Sequence, residues 1–93
     1  MPPTDISRFL HAIADPARRR ILQELKSCTS EKTGLCAGDV EDRVKLSQPT
    51  VSHHMKVLEK AGLVEVKKEG TWRRYHRKEK LIRSMIQALK GQL

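Results

Sequence analysis

Two short helical patterns on either side of a tight polar turn constrain this chain more than any other feature. In residues 37–44 the two valines lie four apart, and Ser47 and Pro49 then provide the N-cap and early-turn proline that open a second helix. That helix runs to residue 60 or 61 and ends at Gly62, a residue suited to the position after a helix C-terminus. Its apolar positions share one face: Val51, Met55 and Leu58. We therefore predict a helix-turn-helix over about residues 37–61.

The residues before this motif predict two further helices. Apolar residues recur at intervals of three and four between residues 5 and 14, as they do on one face of a helix. Asp15 then offers an N-cap and Pro16 a first helical residue, so a second helix should run to about Ser27. A solvated face with one or two phosphate contacts is expected for its arginine triplet, Arg18, Arg19 and Arg20.

After Gly62 the hydrophobic period changes from helical to alternating. Two β-rich runs flank a turn at Gly70, which predicts a hairpin over about residues 63–77 in which Trp72 is a packing residue. A final helix over about residues 79–91 carries a wide apolar stripe. This order of elements predicts a winged helix-turn-helix, a mainly α fold with a small β-hairpin, the wing, after the second helix of the motif.

Composition excludes several other classes of protein. A chain of 93 residues has material for one core, so we expect a single domain over residues 1–93 that gains stability from oligomerisation. With 3% aromatic residues the core must be aliphatic, and a base-stacking platform for RNA is not expected. No apolar run is long enough for a membrane span, and the opening residues lack the pattern of a secretory signal. We expect a cytoplasmic protein with no membrane partner.

The charge of the chain is concentrated in its second half. The net charge is +8, and residues 1–46 carry 8 basic and 7 acidic side chains, whereas residues 47–93 carry 11 basic and 4 acidic ones. A one-sided basic surface is what phosphate binding by counterion release needs. This pattern indicates an anionic partner, and basic composition alone also fits a membrane-surface protein.

Double-stranded DNA is the anion that fits a winged helix-turn-helix, because the second helix of the motif enters the major groove with its early residues. The candidate DNA contacts at this helix are Ser47, Gln48, Thr50, Ser52, His53, His54 and Lys56. The wing would bring four more to flanking phosphates or the minor groove: Lys67, Lys68, Arg73 and Arg74. The adjacent histidines project about 100° apart on a helix, so DNA contact or solvation is favoured over shared metal ligation.

Three segments of the sequence resemble the ArsR/SmtB family of winged-helix repressors. The recognition segment of that family is similar to LSQPTVSHHMKVLEKAGLV at residues 46–64. The opening of its second helix is similar to IADPARRRIL at residues 13–22, and its wing to GTWRRY at residues 70–75. The resemblance covers most of the chain.

This resemblance implies a bacterial or archaeal, nucleoid-associated homodimer that binds an inverted-repeat operator and represses until an inducer releases it. The first and last helices would join the two subunits. The apolar stripe of the last helix is an independent indication of a contact with a partner. The candidate dimer contacts are Ile6, Phe9, Leu10, Leu81, Ile82, Met85, Ile86 and Leu89.

The chain departs from the metal-sensing members of the family. One group carries a Glu-Leu-Cys-Val-Cys-Asp-Leu type segment, and residues 34–40 here lack its second thiolate. Another group binds Zn(II) through Asp and His on the last helix, and residues 79–93 contain neither. We therefore predict no metal site or cofactor and leave Cys28 and Cys36 as a candidate thiol switch. Inert thiols, a redox or persulfide switch and a metalloid inducer all remain open.

Two functions from different classes fit these patterns. The first is a sequence-specific repressor, and the rival is a non-specific architectural protein that uses the same fold and charge. No Ser/His/Asp set, Gly-rich phosphate loop or carboxylate pair indicates an enzyme. Preference for one palindrome over random DNA separates the two functions.

Overall fold

The computed structural model describes residues 3–27 and 34–93 and places five helices and three strands in them. The helices are α1 (Pro3–Ala14), α2 (Pro16–Ser27), α3 (Ala37–Val44), α4 (Gln48–Lys60) and α5 (Glu79–Gln92). The strands are β1 (Leu35–Cys36), β2 (Val64–Glu69) and β3 (Trp72–Arg77). The five predicted helices and the hairpin are confirmed. Strand β1 was not predicted, because two residues carry no alternation that a sequence pattern can reveal.

The three strands form one antiparallel sheet in the order β1, β3, β2. Tyr75 of β3 lies at the centre of the register, opposite Leu35 of β1 on one side and Val66 of β2 on the other. The hairpin closes at the pair Glu69 and Trp72 around Gly70, whose φ of 61° is a left-handed conformation that glycine adopts without strain. The wing is therefore a regular two-stranded ribbon with a third, short strand at its base.

A single aliphatic core joins the five helices and the sheet. Its buried members come from every helix, from β1 and from the start of β2, and Phe9 is the one aromatic residue among these buried members. The buried apolar residues are Ile6, Phe9, Ala12, Ile21, Leu25, Leu35, Val40, Val51, Met55, Leu58, Ala61, Leu63, Val64, Ile82 and Met85. The aliphatic core expected from the composition is confirmed.

The end of α4 fixes the direction in which the wing leaves the helix. The Gly62 amide donates to the Glu59 carbonyl at 2.9 Å and the Leu63 amide donates to the Leu58 carbonyl at 3.0 Å, the paired bonds of a Schellman cap. Gly62 has a φ of 78°, and a Cβ atom there would lie 2.9 Å from the side chain of Leu81. The left-handed conformation therefore favours glycine, and a larger residue would also displace the end of the Leu81 side chain.

The arginine triplet of α2 caps other helices. Arg18 is buried, contrary to the expected solvated face, whereas Arg19 and Arg20 are exposed as expected. Helix α1 ends at Ala14, so its last four carbonyls lack partners within the helix. Arg18 donates to the Ala12 carbonyl at 2.7 Å and the His11 carbonyl at 3.1 Å, and Arg19 donates to the Ile13 carbonyl at 2.6 Å. Arg20 reaches the Arg43 carbonyl in the last turn of α3 at 3.3 Å. These cations also complement the negative end of each helix dipole.

Half of the candidate dimer contacts lie in the interior of the single chain. Helix α1 packs against α5, and this packing buries Ile6, Phe9, Ile82 and Met85. Leu81 and Leu89 are half-buried, whereas Leu10 and Ile86 are 40% and 51% exposed. One edge of the apolar stripe of α5 packs into the chain's own core. The expectation that the four buried residues join two subunits was therefore wrong.

Trp72 was expected to pack within the hairpin, but it is 60% exposed because it stands at the last pair of the ribbon, where no other element covers it. Across residues 3–27 and 34–93, none of the helices is both long and apolar enough to cross a bilayer.

Candidate nucleic-acid interface

Helix α4 presents a polar, exposed face that begins at its N-terminus. The residues of this face are Ser47, Gln48, Thr50, Ser52, His53 and Lys56, and all of them are exposed. The opposite face buries Val51, His54, Met55 and Leu58. The Ser47 and Thr50 hydroxyls lie 2.9 Å apart and bond each other, and the Ser47 side chain does not cap the helix. Because Pro49 has no N–H, the amides of Gln48 and Thr50 are the ones that the first turn offers to an outside acceptor. A helix N-terminus with free amides favours an anion such as phosphate.

His54 was expected to contact DNA, and the structure contradicts this. Its side chain is buried, with 8% of the residue exposed, and its Nδ1 atom lies 3.1 Å from Nη1 of Arg18. The reason lies in the helical period: residue 54 follows Val51 by three and precedes Leu58 by four, so it belongs to the buried face. That spacing could be seen in the sequence. It predicts the position of residue 54 better than the polarity of the imidazole does.

The Arg18 contact fixes the protonation of the His54 ring. Arginine has donors and no acceptor, so Nδ1 of His54 must accept and the ring proton sits on Nε2. Burial lowers the pKa of His54 below its ordinary value of 6.5, and the charges of Arg18 and His53 lower it further. The carboxylate of Asp15 opposes this shift. A neutral imidazole is therefore the form that the fold selects.

Asp15 organises the same junction from the other side. Its Oδ1 atom accepts hydrogen bonds from the backbone amides of Ala17 at 2.7 Å and Arg18 at 3.4 Å, which makes it the cap of α2. The Ala17 bond is the main reason that the pKa of Asp15 falls below its usual value, because it stabilises the carboxylate. The other oxygen, Oδ2, lies 3.8 Å from Nη1 of Arg18.

The wing carries positive charge on both of its faces. In the register of the hairpin Lys67 lies opposite Arg74 and Lys68 lies opposite Arg73. Successive residues of a strand point to opposite faces, so each face of the ribbon holds one pair of like charges. Directly opposite like charges destabilise a ribbon, and an anion between them would relieve the repulsion. Lys67 has partial compensation from Glu65, whose Oε1 atom lies 3.7 Å from its Nζ.

Helix α4 packs against β2, so the exposed face of the helix and the basic wing belong to one structural unit. Of the eleven candidate DNA contacts, the structure places nine on exposed positions. Arg74 is half-buried and His54 is buried.

Comparisons with known proteins support the same description. A family model described as a helix-turn-helix domain matches residues 13–67. An HTH-type transcriptional regulator of Methanocaldococcus jannaschii is 38% identical over 80 residues, which are 86% of this chain and 85% of that protein. An arsenical resistance operon repressor of Staphylococcus aureus is 36% identical over 85 residues, which are 91% of this chain and 77% of that protein. The chain belongs to the ArsR/SmtB family.

A solved structure confirms the fold of this ArsR/SmtB regulator. An ArsR-like transcriptional regulator from Rhodococcus sp. RHA1 superposes with a TM-score of 0.81 at 24% identity, over 95% of this chain and 78% of that one. Family membership makes the protein a DNA-binding transcriptional regulator with a winged helix-turn-helix fold.

One of the two cysteines of the candidate thiol switch lies among the described residues of this ArsR/SmtB regulator. Cys36 precedes the first residue of α3, is half-buried, and donates from Sγ to Oδ2 of Asp39 at 3.0 Å. Cys28 lies outside the described residues. Within the part of the chain that the structure describes, no group of three or more His, Cys, Asp and Glu side chains is placed to hold a metal ion. The switch therefore stays a prediction.

We expect the stability of the protein to decrease as the pH is lowered, because of His54. The unfolded chain takes up a proton on this residue near pH 6.5, whereas the folded chain does so only at lower pH. Unfolding free energy should therefore be fully retained above about pH 6.5 and decline below it, by at most about 1.4 kcal/mol per pH unit for one proton. Urea denaturation at several pH values measures this dependence.

His54→Gln is the matched variant for that experiment, since its amide oxygen can accept from Arg18 and does not titrate. The other three histidines are unchanged, so the difference between the two pH profiles belongs to His54. Identical profiles would contradict the account.

Proposed function

We propose that this ArsR/SmtB regulator is a dimeric repressor that reads an inverted-repeat operator with the exposed face of α4. The observation that carries the proposal is the division of α4 into a polar exposed face and a buried face that includes His54. Repression is proposed from the S. aureus relative, which is named an operon repressor.

The side chains of the exposed face suit base recognition in the major groove. Gln48 can pair with an adenine edge through its amide, and His53 can donate to a guanine or a phosphate. Ser47, Thr50 and Ser52 are short, so the helix can approach the duplex closely. Lys56 lies farther along the helix, where a phosphate contact fits its length.

The wing suits the phosphate backbone beside that groove. Its cations lie opposite each other in the register, Lys67 with Arg74 and Lys68 with Arg73. Phosphates bound at the wing would replace condensed counterions, so binding should weaken as salt is added.

The dimer surface is proposed to centre on Leu10 of α1 and Ile86 of α5. Both side chains are large, apolar and exposed, and they lie on two helices that pack against each other. Leu81 and Leu89 would extend the contact from α5. A symmetric pair of subunits would place two α4 helices on successive major grooves of an inverted repeat.

We expect a palindromic duplex selected from random DNA to bind about 10³-fold more tightly than random duplex at physiological salt. Fluorescence anisotropy with labelled duplexes measures both affinities. Ser52→Ala should weaken the palindrome more than the random duplex, because Ser52 lies on the proposed reading face. Arg73→Ala should weaken both and flatten the salt dependence. Equal affinity of the wild type for both duplexes would favour the architectural alternative.

Ile86→Glu should convert the dimer to a monomer, because it places a charge in an apolar contact that excludes water. Sedimentation velocity gives the oligomeric state. Gln87→Glu is the matched control, since residue 87 is the exposed neighbour on the same helix and receives the same charge. A dimer that survives Ile86→Glu would place the interface elsewhere.

A further inference from the structure

One buried guanidinium joins the end of α1 to the helix proposed to read DNA. Arg18 is 7% exposed, and its nitrogens reach the Ala12 carbonyl at 2.7 Å, the His11 carbonyl at 3.1 Å and Nδ1 of His54 at 3.1 Å. We propose that Arg18 is a positioning residue for DNA recognition, which sets the placement of α4 relative to α1 through His54. This inference rests on the proposed role of the exposed face of α4.

The geometry of the contact depends on arginine and not on positive charge alone. Nε, Nη1 and Nη2 of Arg18 each face a different acceptor, and the planar guanidinium holds the three nitrogens at fixed mutual positions. A lysine at this position would bring one nitrogen that cannot reach all three acceptors. Loss of one acceptor would leave a buried cation incompletely paired, which is costly in free energy. This cost favours the arrangement in which all three acceptors stay around Arg18.

The two ends of this link lie beside the two proposed working surfaces. On α1, the carbonyl that accepts from Arg18 belongs to His11, the neighbour of the exposed Leu10 in the proposed dimer contact. On α4, His54 is adjacent to His53 and two residues from Ser52 on the proposed reading face. A displacement of α1 at the subunit interface would therefore be transmitted to the reading face through a single side chain.

The link also requires a neutral His54. The charged and titratable groups that face this ring are Asp15 at the start of α2, Arg18 on α2 and His53 on α4. A proton on Nδ1 would point at an N–H of Arg18, so the acceptor would be lost and two cations would meet. Acid should thus release α4 from Arg18.

Four single variants test this proposal in operator binding, with a palindromic duplex selected from random DNA as the probe. Arg18→Lys keeps the charge and removes the three-way geometry, and Arg19→Lys is its matched control. Arg19 caps α1 through the Ile13 carbonyl but is exposed and has no contact with α4 among the described hydrogen bonds. His54→Ala removes the acceptor on α4, whereas His54→Gln supplies another one.

We expect Arg18→Lys and His54→Ala each to weaken palindrome binding about tenfold or more, as for loss of a hydrogen bond to a charged group. Arg19→Lys and His54→Gln should each stay within about threefold of the wild type. The double variant Arg18→Lys/His54→Ala should be no weaker than either single variant, because both remove one link. Affinity of the wild type should fall in acid, as the pH drops through the lowered pKa of folded His54, and that part of the fall should be absent in His54→Gln.

Equal losses in Arg18→Lys and Arg19→Lys, or in His54→Gln and His54→Ala, would overturn the proposal. The His54 pair decides the matter if Arg18→Lys does not fold, which circular dichroism shows directly. A wild type that binds palindromic and random duplex equally would instead overturn the proposed function, and the inference with it.

Discussion

The junction of α1, α2 and α4 depends on the guanidinium of Arg18. Helix α1 ends at Ala14 because Asp15 and Pro16 start a new helix, and this leaves the last carbonyls of α1 without partners. Arg18 donates to two of those carbonyls, and its third nitrogen contacts His54. The same side chain therefore caps the end of α1 and contacts the buried face of α4.

The local signals of the sequence were sufficient for the helices and for the exposed face of α4. Asp15 marks the start of α2 through a side-chain cap. Pro16 and Pro49 mark helix starts and Gly62 marks a helix end through backbone conformation, and all of these signals act within a few residues. Strand β1 could not be predicted in this way, because its existence depends on pairing with Tyr75 and Arg74 of β3, about forty residues away.

The polar interior was the part that the sequence concealed. An arginine triplet is solvated in most helices, and only the approach of His54, 36 residues later, shows why Arg18 is buried. The period of α4 assigns residue 54 to its inner face, but the partner that makes a buried imidazole tolerable is a tertiary contact. The apolar stripe of α5 was ambiguous for a related reason, since periodicity identifies a buried face without saying which molecule covers it. Ile82 and Met85 turn to the chain's own core, and Ile86 turns outward.

The protonation state of the His54 ring tests the central claim most directly. A long-range ¹H–¹⁵N spectrum of the imidazole nitrogens at neutral pH, with His54 assigned by its absence in His54→Gln, reports which nitrogen carries the proton. We predict a protonated Nε2 and an unprotonated Nδ1, with both resonances shifted in Arg18→Lys. A proton on Nδ1, or resonances that Arg18→Lys leaves unchanged, would contradict the link between Arg18 and the recognition helix.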